Sequence, residues 1–389
     1  MNLQLANRMA DYKEGIFQLL DKKKEERLKA GKKVYNLSVG TPDFSPASHI
    51  MDALLESAKE PGNYRYSLKD RDELIKGVQY RYEKRYHVEL ALDEITSVYG
   101  TQEGIAHIAF TLCNPKDVVL VPDPGYPVFS IGPSLAGVEI VTYPLREENN
   151  YLPRLEDIQE ETLKRAKMMI VSYPLNPVCA AAPREFYEEL VAFAKEKEII
   201  IVHDNAYSDI IYDNREGISF LSIDGAKEVG VEFYSLSKSF NLTGARISFL
   251  VGNAQIVSAL KKFRSQIDYG IFTPIQKAAV AALTGPDQWV KDQCREYERR
   301  RDTLCKGFRN IGWNVPDSQG TMFVWAPIPK GFDSSIHFAM ELLDRTGVLC
   351  TPGSSFGTLG EGYVRFALVL DVPLLEELIQ EVKEWGILW

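Results

Sequence analysis

The run Ser235-Leu236-Ser237-Lys238-Ser239-Phe240-Asn241-Leu242-Thr243-Gly244-Ala245-Arg246 sets one lysine in a hydroxyl-rich turn, with an arginine eight residues later. A lysine amine that sheds its proton attacks a carbonyl and forms a Schiff base. Serine hydroxyls and a forked, permanently charged guanidinium are what a phosphate binds. Pyridoxal 5′-phosphate (PLP) presents an aldehyde and a phosphate at opposite sides of one ring, so the run is a candidate anchor for it. The same letters also suit an ordinary serine-rich turn with a solvated lysine.

Other residues offer complementary chemistry. Asp204 ends the apolar run Ile199-Ile200-Ile201-Val202-His203, where a carboxylate is costly unless a cation or a donor meets it. A pyridinium nitrogen would do so, and its proton makes the ring an electron sink; a helix cap or turn is the alternative. Tyr207, three residues on, can donate to the ring's phenolate oxygen or serve only in packing. Gly100-Thr101-Gln102-Glu103-Gly104 follows a predicted strand at Thr96–Tyr99 and opens a helical run at Ile105–Cys113. Backbone N–H groups at such a start attract anions. This is not G-x-G-x-x-G, and no such dinucleotide fingerprint occurs in the chain.

Pro124-Gly125-Tyr126-Pro127 holds an aromatic ring in a rigid turn, able to stack on a flat cofactor or on its neighbours. Tyr173-Pro174-Leu175-Asn176-Pro177 ends another strand with an amide. Arg365 stands in the apolar run Tyr363-Val364-Arg365-Phe366-Ala367 and needs a carboxylate, from a structural acid or from a substrate.

These residues fall at the ends of short apolar runs. Asp117–Val121, Val138–Tyr143, Met168–Tyr173, Ile199–His203, Glu232–Ser235 and Ile247–Gly252 read as buried strands, with helical stretches such as Arg184–Glu198 and Ala254–Arg264 between several of them. The alternation predicts an α/β layer fold with a mostly parallel sheet, whose ligands sit at the carboxyl ends of strands. After Thr284-Gly285-Pro286 the pattern changes. A long charged helix at Asp287–Phe308, strands at Met322–Ala326 and Tyr363–Val369, and helices at Ser335–Thr346 and Pro373–Trp385 predict a smaller α+β domain. The expected division is 1–48 as an N-terminal arm and part of the small domain, 49–285 as the large domain, and 286–389 as the small one.

Net charge is −9, from 45 basic and 54 acidic residues, which argues against nucleic acid as a partner. No apolar run approaches the roughly 18 residues that span a bilayer. Met1–Val34 lacks the apolar core of a signal peptide; Leu5, Met9, Ile16 and Leu20 instead fall at helical spacing. The five cysteines have no metal-ligand spacing and read as reduced thiols of a cytoplasmic protein. The five histidines form no ligand cluster, so no metal site is expected.

In order, spacing and setting these motifs resemble the class I/II, fold type I PLP-dependent aminotransferases over nearly the whole chain. The matching segments are Val39–Phe44, Tyr66, Gly100–Gly104, Pro124–Pro127, Asn176-Pro177, Asp204–Tyr207, Ser235–Arg246, Thr351–Gly357 and Gly362–Phe366. The nearest-looking subgroup is that of LL-diaminopimelate and related broad-specificity aminotransferases.

The resemblance implies that Lys238 holds PLP as a Schiff base and later shuttles a proton, with Asp204 on the ring nitrogen. Tyr207 and Asn176 would bond the ring oxygen, and Tyr126 would stack on the ring. Thr101, Gln102, Ser235, Ser237 and Arg246 would hold the phosphate. Arg365 would take the substrate α-carboxylate, assisted by Asn176 and the backbone near Gly40. It further implies a homodimer with shared sites, in which Tyr66 reaches the partner's phosphate and the N-terminal helix finds its missing surface. The implied reaction moves an amino group from an L-amino acid to a 2-oxo acid with ping-pong kinetics. A carbon–sulfur β-lyase of the same fold is the alternative.

Four departures stand out. Val178-Cys179 replaces the family's Thr-Gly after Asn176-Pro177, and loss of glycine predicts a reshaped turn. Ser248, Asp70 and Ile75 stand at or near a usual Gly, Gly and Arg. None of the four is expected to touch the catalytic core.

Overall fold

The structure, a computed structural model, describes residues 3–6, 9 and 16–387. Seven strands form its central sheet: β1 Ile95–Val98, β2 Val118–Asp123, β3 Glu139–Pro144, β4 Ala166–Ser172, β5 Ile200–Asn205, β6 Gly230–Ser235 and β7 Ser248–Gly252, in the order β1-β7-β6-β5-β4-β2-β3. Contrary to the expectation of a buried strand at Val138–Tyr143, β3 lies at the sheet edge and only its Tyr143 is buried. Every pairing from β6 to β3 is parallel, while β7 runs antiparallel to both β6 and β1. The Val- and Ile-rich runs behave as strands covered on both faces should: β2, β6 and β7 are buried at every position. Helices Thr101–Leu112 and Arg184–Lys197 supply parts of that cover through Ile105, Ile108, Phe186 and Leu190.

A three-stranded antiparallel sheet, Thr351–Pro352, Tyr363–Ala367 and Phe323–Pro327, lies beyond the 23-residue helix Gln288–Asn310. The arginines that make this helix look fully charged include two that fold inward: Arg300 and Arg301 are buried on carboxylates of Asp43 and Asp213. The N-terminal segment joins these C-terminal elements. Tyr35–Asn36 pairs in parallel with Val348–Leu349, and Ala367 N donates to Leu37 O at 2.7 Å.

Of the helix expected from Leu5 onward, the described residues show Ile16–Lys29 as helix. Residues 3–6 are not helical, and Leu5 and Met9 are exposed; residues 10–15 lie outside the described residues. Leu20 is buried on Leu343 and Leu349. Helices Ser48–Ala58, Asp72–Tyr86 and Thr273–Thr284 were not signalled by the sequence pattern; they pack on one another at one side of the sheet.

Candidate active site

The carboxyl ends of the strands converge on a cavity of about 230 Å³. Each wall comes from the loop after a different strand: Thr101 and Gln102 after β1, Tyr126 after β2, Asn176 after β4, Tyr207 after β5, and Ser237, Lys238 and Arg246 between β6 and β7. Asp204 and Ser235 lie in the last two positions of β5 and β6; Gly40 and Arg365 close the far side. Twelve of the thirteen expected site residues therefore meet in one place. Tyr66 does not; it is 80% exposed on the surface, with its ring 4.8 Å from that of Tyr269.

Charge in the cavity is unbalanced. Lys238, Arg246 and Arg365 line it against one carboxylate, Asp204. Arg246 donates to the carbonyls of Thr243 at 3.0 Å and Tyr99 at 3.3 Å, but no carboxylate among the described residues pairs with it. Arg365 is likewise held by neutral acceptors, Asn176 Oδ1 at 2.8 Å and Ser38 O at 3.1 Å, and its Nε has no partner. Phe323 and Phe356 lie 4.1 and 4.7 Å from its guanidinium carbon. Two guanidiniums without anions, lining one cavity, call for two anionic groups.

The same imbalance sets the proton affinities. Burial, then the charges of Arg365 and Arg246, pull the Lys238 amine down to about 8. Its Nζ donates to Gly40 O at 2.5 Å. Burial, then the charge of Glu232, pushes Asp204 up to about 7. Burial also pushes the hydroxyls of Tyr126 and Tyr207 up, keeping both as donors.

These features test whether PLP fits. Asp204 Oδ1 is buried with no partner, as a carboxylate awaiting a protonated ring nitrogen should be. Gly100 adopts φ 91°, and a Cβ there would collide with the Arg246 guanidinium; glycine lets the backbone and Arg246 approach one anion together. Ser235 Oγ accepts from Ser237 N at 3.1 Å and from Ser248 Oγ at 3.1 Å, which leaves its own hydrogen to donate. The donor set suits a phosphate at one end and a ring nitrogen at the other.

Two expectations about the departures are corrected. Cys179 retains the left-handed backbone, at φ 63°, that a glycine would adopt, so the turn is not reshaped. Its amide donates to Leu175 O at 2.7 Å, and its thiol lies 3.1 Å from Pro177 O. Ser248 does touch the site, through Ser235. Asp70 serves β1, accepting from Ser97 N at 2.8 Å, and Ile75 is buried in the core. Outside the cavity the fold also gathers Glu103, His107 and Asp268, with the Arg264 guanidinium 2.9 Å from Asp268 and 3.6 Å from Glu103.

Sequence reasoning missed the aromatic faces on Arg365. It also missed Gln293, whose Nε2 donates to Lys238 O at 2.8 Å from the long helix. Neither position carries a local signal, because each contact joins segments far apart in the chain.

A family model for class I and II aminotransferases matches residues 32–382. The chain belongs to that family. This aminotransferase is 42% identical over 385 residues to the LL-diaminopimelate aminotransferase of Dehalococcoides mccartyi strain 195, covering 98% of this chain and 99% of the relative. The enzyme of the same name from Moorella thermoacetica is 40% identical, with 98% of each chain covered. Among solved structures, apo-BacF from Bacillus subtilis superposes with a TM-score of 0.95 at 34% identity, covering 100% of this chain and 99% of that one. A probable N-succinyldiaminopimelate aminotransferase from Thermus thermophilus does so with a TM-score of 0.90 at 31% identity, over 95% and 100%. The protein is a PLP-dependent aminotransferase of fold type I; its relatives lend the β-lyase alternative no support.

Proposed function

We propose that this aminotransferase takes LL-diaminopimelate as amino donor, binding it and PLP in the cavity around Lys238. The observation that carries the assignment of residues is the pair of guanidiniums without anions, Arg246 and Arg365, that share the cavity with the lysine. The diaminopimelate reading rests on the relatives' names and on charge. One end of that substrate supplies the carboxylate Arg365 lacks. The other is a zwitterion of zero net charge, which suits a cavity lined by no further cation.

Bound PLP supplies an aldehyde to receive the amino group and a ring to absorb the electrons released at the substrate Cα. The chain's own residues do the rest. Lys238 Nζ, its proton affinity lowered by burial and by two guanidiniums, takes the proton from the donor's Cα and, in the second half-reaction, delivers one to the Cα of the acceptor. Asp204 holds the proton on the ring nitrogen. Thr101, Gln102, Ser235, Ser237 and Arg246 hold the phosphate, Tyr126 covers the ring face, and Tyr207 and Asn176 donate to the ring oxygen. Arg365 fixes the substrate carboxylate bidentately, which orients the Cα–H bond toward Lys238.

The working form in this reading is a cytoplasmic homodimer. The exposed aromatic surface around Tyr64, Tyr66, Tyr269 and Phe272 supports it, and Tyr66 is then the residue that reaches the partner's phosphate. The pairing of Tyr35–Asn36 with Val348–Leu349 supports counting the N-terminal segment with the small domain.

A half-reaction screen tests the substrate: PLP-loaded protein is mixed with single amino acids and loss of the cofactor's visible absorbance is followed. LL-diaminopimelate should react with the highest kcat/KM. A preference of tenfold or more for another donor would reject it. Arg365→Ala should raise KM for the preferred donor about a hundredfold while PLP stays bound.

A further inference from the structure

Glu232 and His203 are both fully buried, and the chemistry assigned to the cavity uses neither. They are direct partners across β5 and β6, with Nδ1 of His203 2.8 Å from Glu232 Oε2. The next pair along, Asp204 and Phe233, points to the opposite face of the sheet, where Phe233 presses on Gly104 of the phosphate-side helix. Glu232 therefore lies behind the sheet, one strand across and one residue back from Asp204. The strand that carries it runs on into Ser235 and Lys238.

The carboxylate is saturated with donors. Besides His203 it accepts from Tyr82 Oη at 2.7 Å, Ser219 Oγ at 2.8 Å and Phe220 N at 2.8 Å. Against the upward pull of its own burial, the hydrogen bond and the charge of His203, then the hydrogen bond from Tyr82, hold it below its ordinary value. The titratable groups facing it are His203 from β5, Tyr82 and Tyr86 from helix Asp72–Tyr86, and Tyr187 from helix Arg184–Lys197. Tyr187 Oη stands 3.3 Å from His203 Nε2 and can donate to it. No lysine or arginine pairs with Glu232 among the described residues.

An anion fixed this way is an odd thing to keep behind an acid that already lacks a partner. Burying it is expensive, and apolar side chains would fill the space at less cost. We propose that Glu232 is a positioning residue for the reaction, its buried charge holding a proton between Asp204 and the cofactor's ring nitrogen. This rests on the reading of Asp204 as the partner of that nitrogen. Second after burial, the Glu232 charge is what raises Asp204 toward 7. A negative potential at that point favours every protonated form in the cavity, including a ring nitrogen that carries its proton throughout turnover.

Glu232→Gln tests it, because the amide keeps the shape and removes the charge. In the PLP-loaded protein the visible absorbance is titrated with pH. Its midpoint should fall by about one pH unit, and kcat should drop with KM for the amino donor held. A midpoint within about 0.2 of wild type, a small fraction of that expected shift, overturns the proposal and makes the pair a structural clamp, whatever happens to stability. If Glu232→Gln does not fold, the double variant Glu232→Gln/His203→Gln, in which two amides can bond one another, is titrated against the same criterion. Asp204→Asn in parallel separates the two readings. If it leaves the spectrum and its titration unchanged, the assignment of Asp204 fails; if it alone shifts the midpoint, only the role of Glu232 fails.

Discussion

Asp204 has a proton affinity that depends on the state of the protein. Buried without a partner, it holds its proton up to about 7, against about 4 in an unfolded chain. The folded state then binds the extra proton, so the stabilisation is complete below about pH 4 and drains away as pH rises to about 7. For the cofactor-free protein, Asp204→Asn should raise the unfolding free energy more at pH 7 than at pH 5, by an amount on the order of a few kcal/mol across the window, as denaturant titration at the two pH values measures. Equal effects at both pH values would mean that Asp204 has a partner in solution. Adding PLP should reverse the trend, since a protonated ring nitrogen supplies that partner. Cys179 makes a second point at this scale. The sequence marked it as a lost glycine, and only the backbone shows that the thiol side chain tolerates φ 63° with two carbonyls within reach of its sulfur.

At the scale of elements, the site depends on where strands stop and on the turns that begin there. Gly100 is the sharpest case: at φ 91° and ψ 155° it occupies a region closed to other residues, and Arg246 fills the space a side chain would need. Gly100→Ala should weaken PLP binding tenfold or more, with about 1–3 kcal/mol lost from the fold. Cofactor fluorescence titration and thermal unfolding measure the two separately. Periodicity made most of these elements legible. Short apolar runs marked the seven strands to within a few residues, because the inner strands of a doubly covered sheet leave little room for polar alternation; the edge strand Glu139–Pro144 was legible as a strand but not as an exposed one. Residues fixed by strand ends, such as Asp204 and Lys238, came into view at once. Helices Asp72–Tyr86 and Thr273–Thr284 were not legible, since their buried faces interrupt polar and small residues without a clean stripe. The contacts of Gln293 and Phe323 with the site were illegible for another reason: they depend on how distant segments dock.

For the whole molecule, Tyr66 is the expected site residue that its own chain leaves outside. Its 80% exposure, beside Tyr269 at 55%, is an unusual concentration of aromatic surface. The dimeric reading expects sedimentation at twice the 44.0 kDa chain mass. It also expects Tyr66→Ala to loosen PLP without disturbing any cavity contact of its own chain; a monomer that binds PLP normally would reject it. The pairing of Tyr35 with Val348 also orders assembly in time. During synthesis the central sheet has all its strands once Gly252 is made, whereas Tyr35 must wait for a partner encoded 313 positions later (348 − 35). At ordinary translation rates that interval lasts about 15–60 s. The segment that will present Gly40 to Lys238 thus stays unpaired on the nascent chain until nearly all of it has left the ribosome, and the catalytic cleft is among the last parts to close.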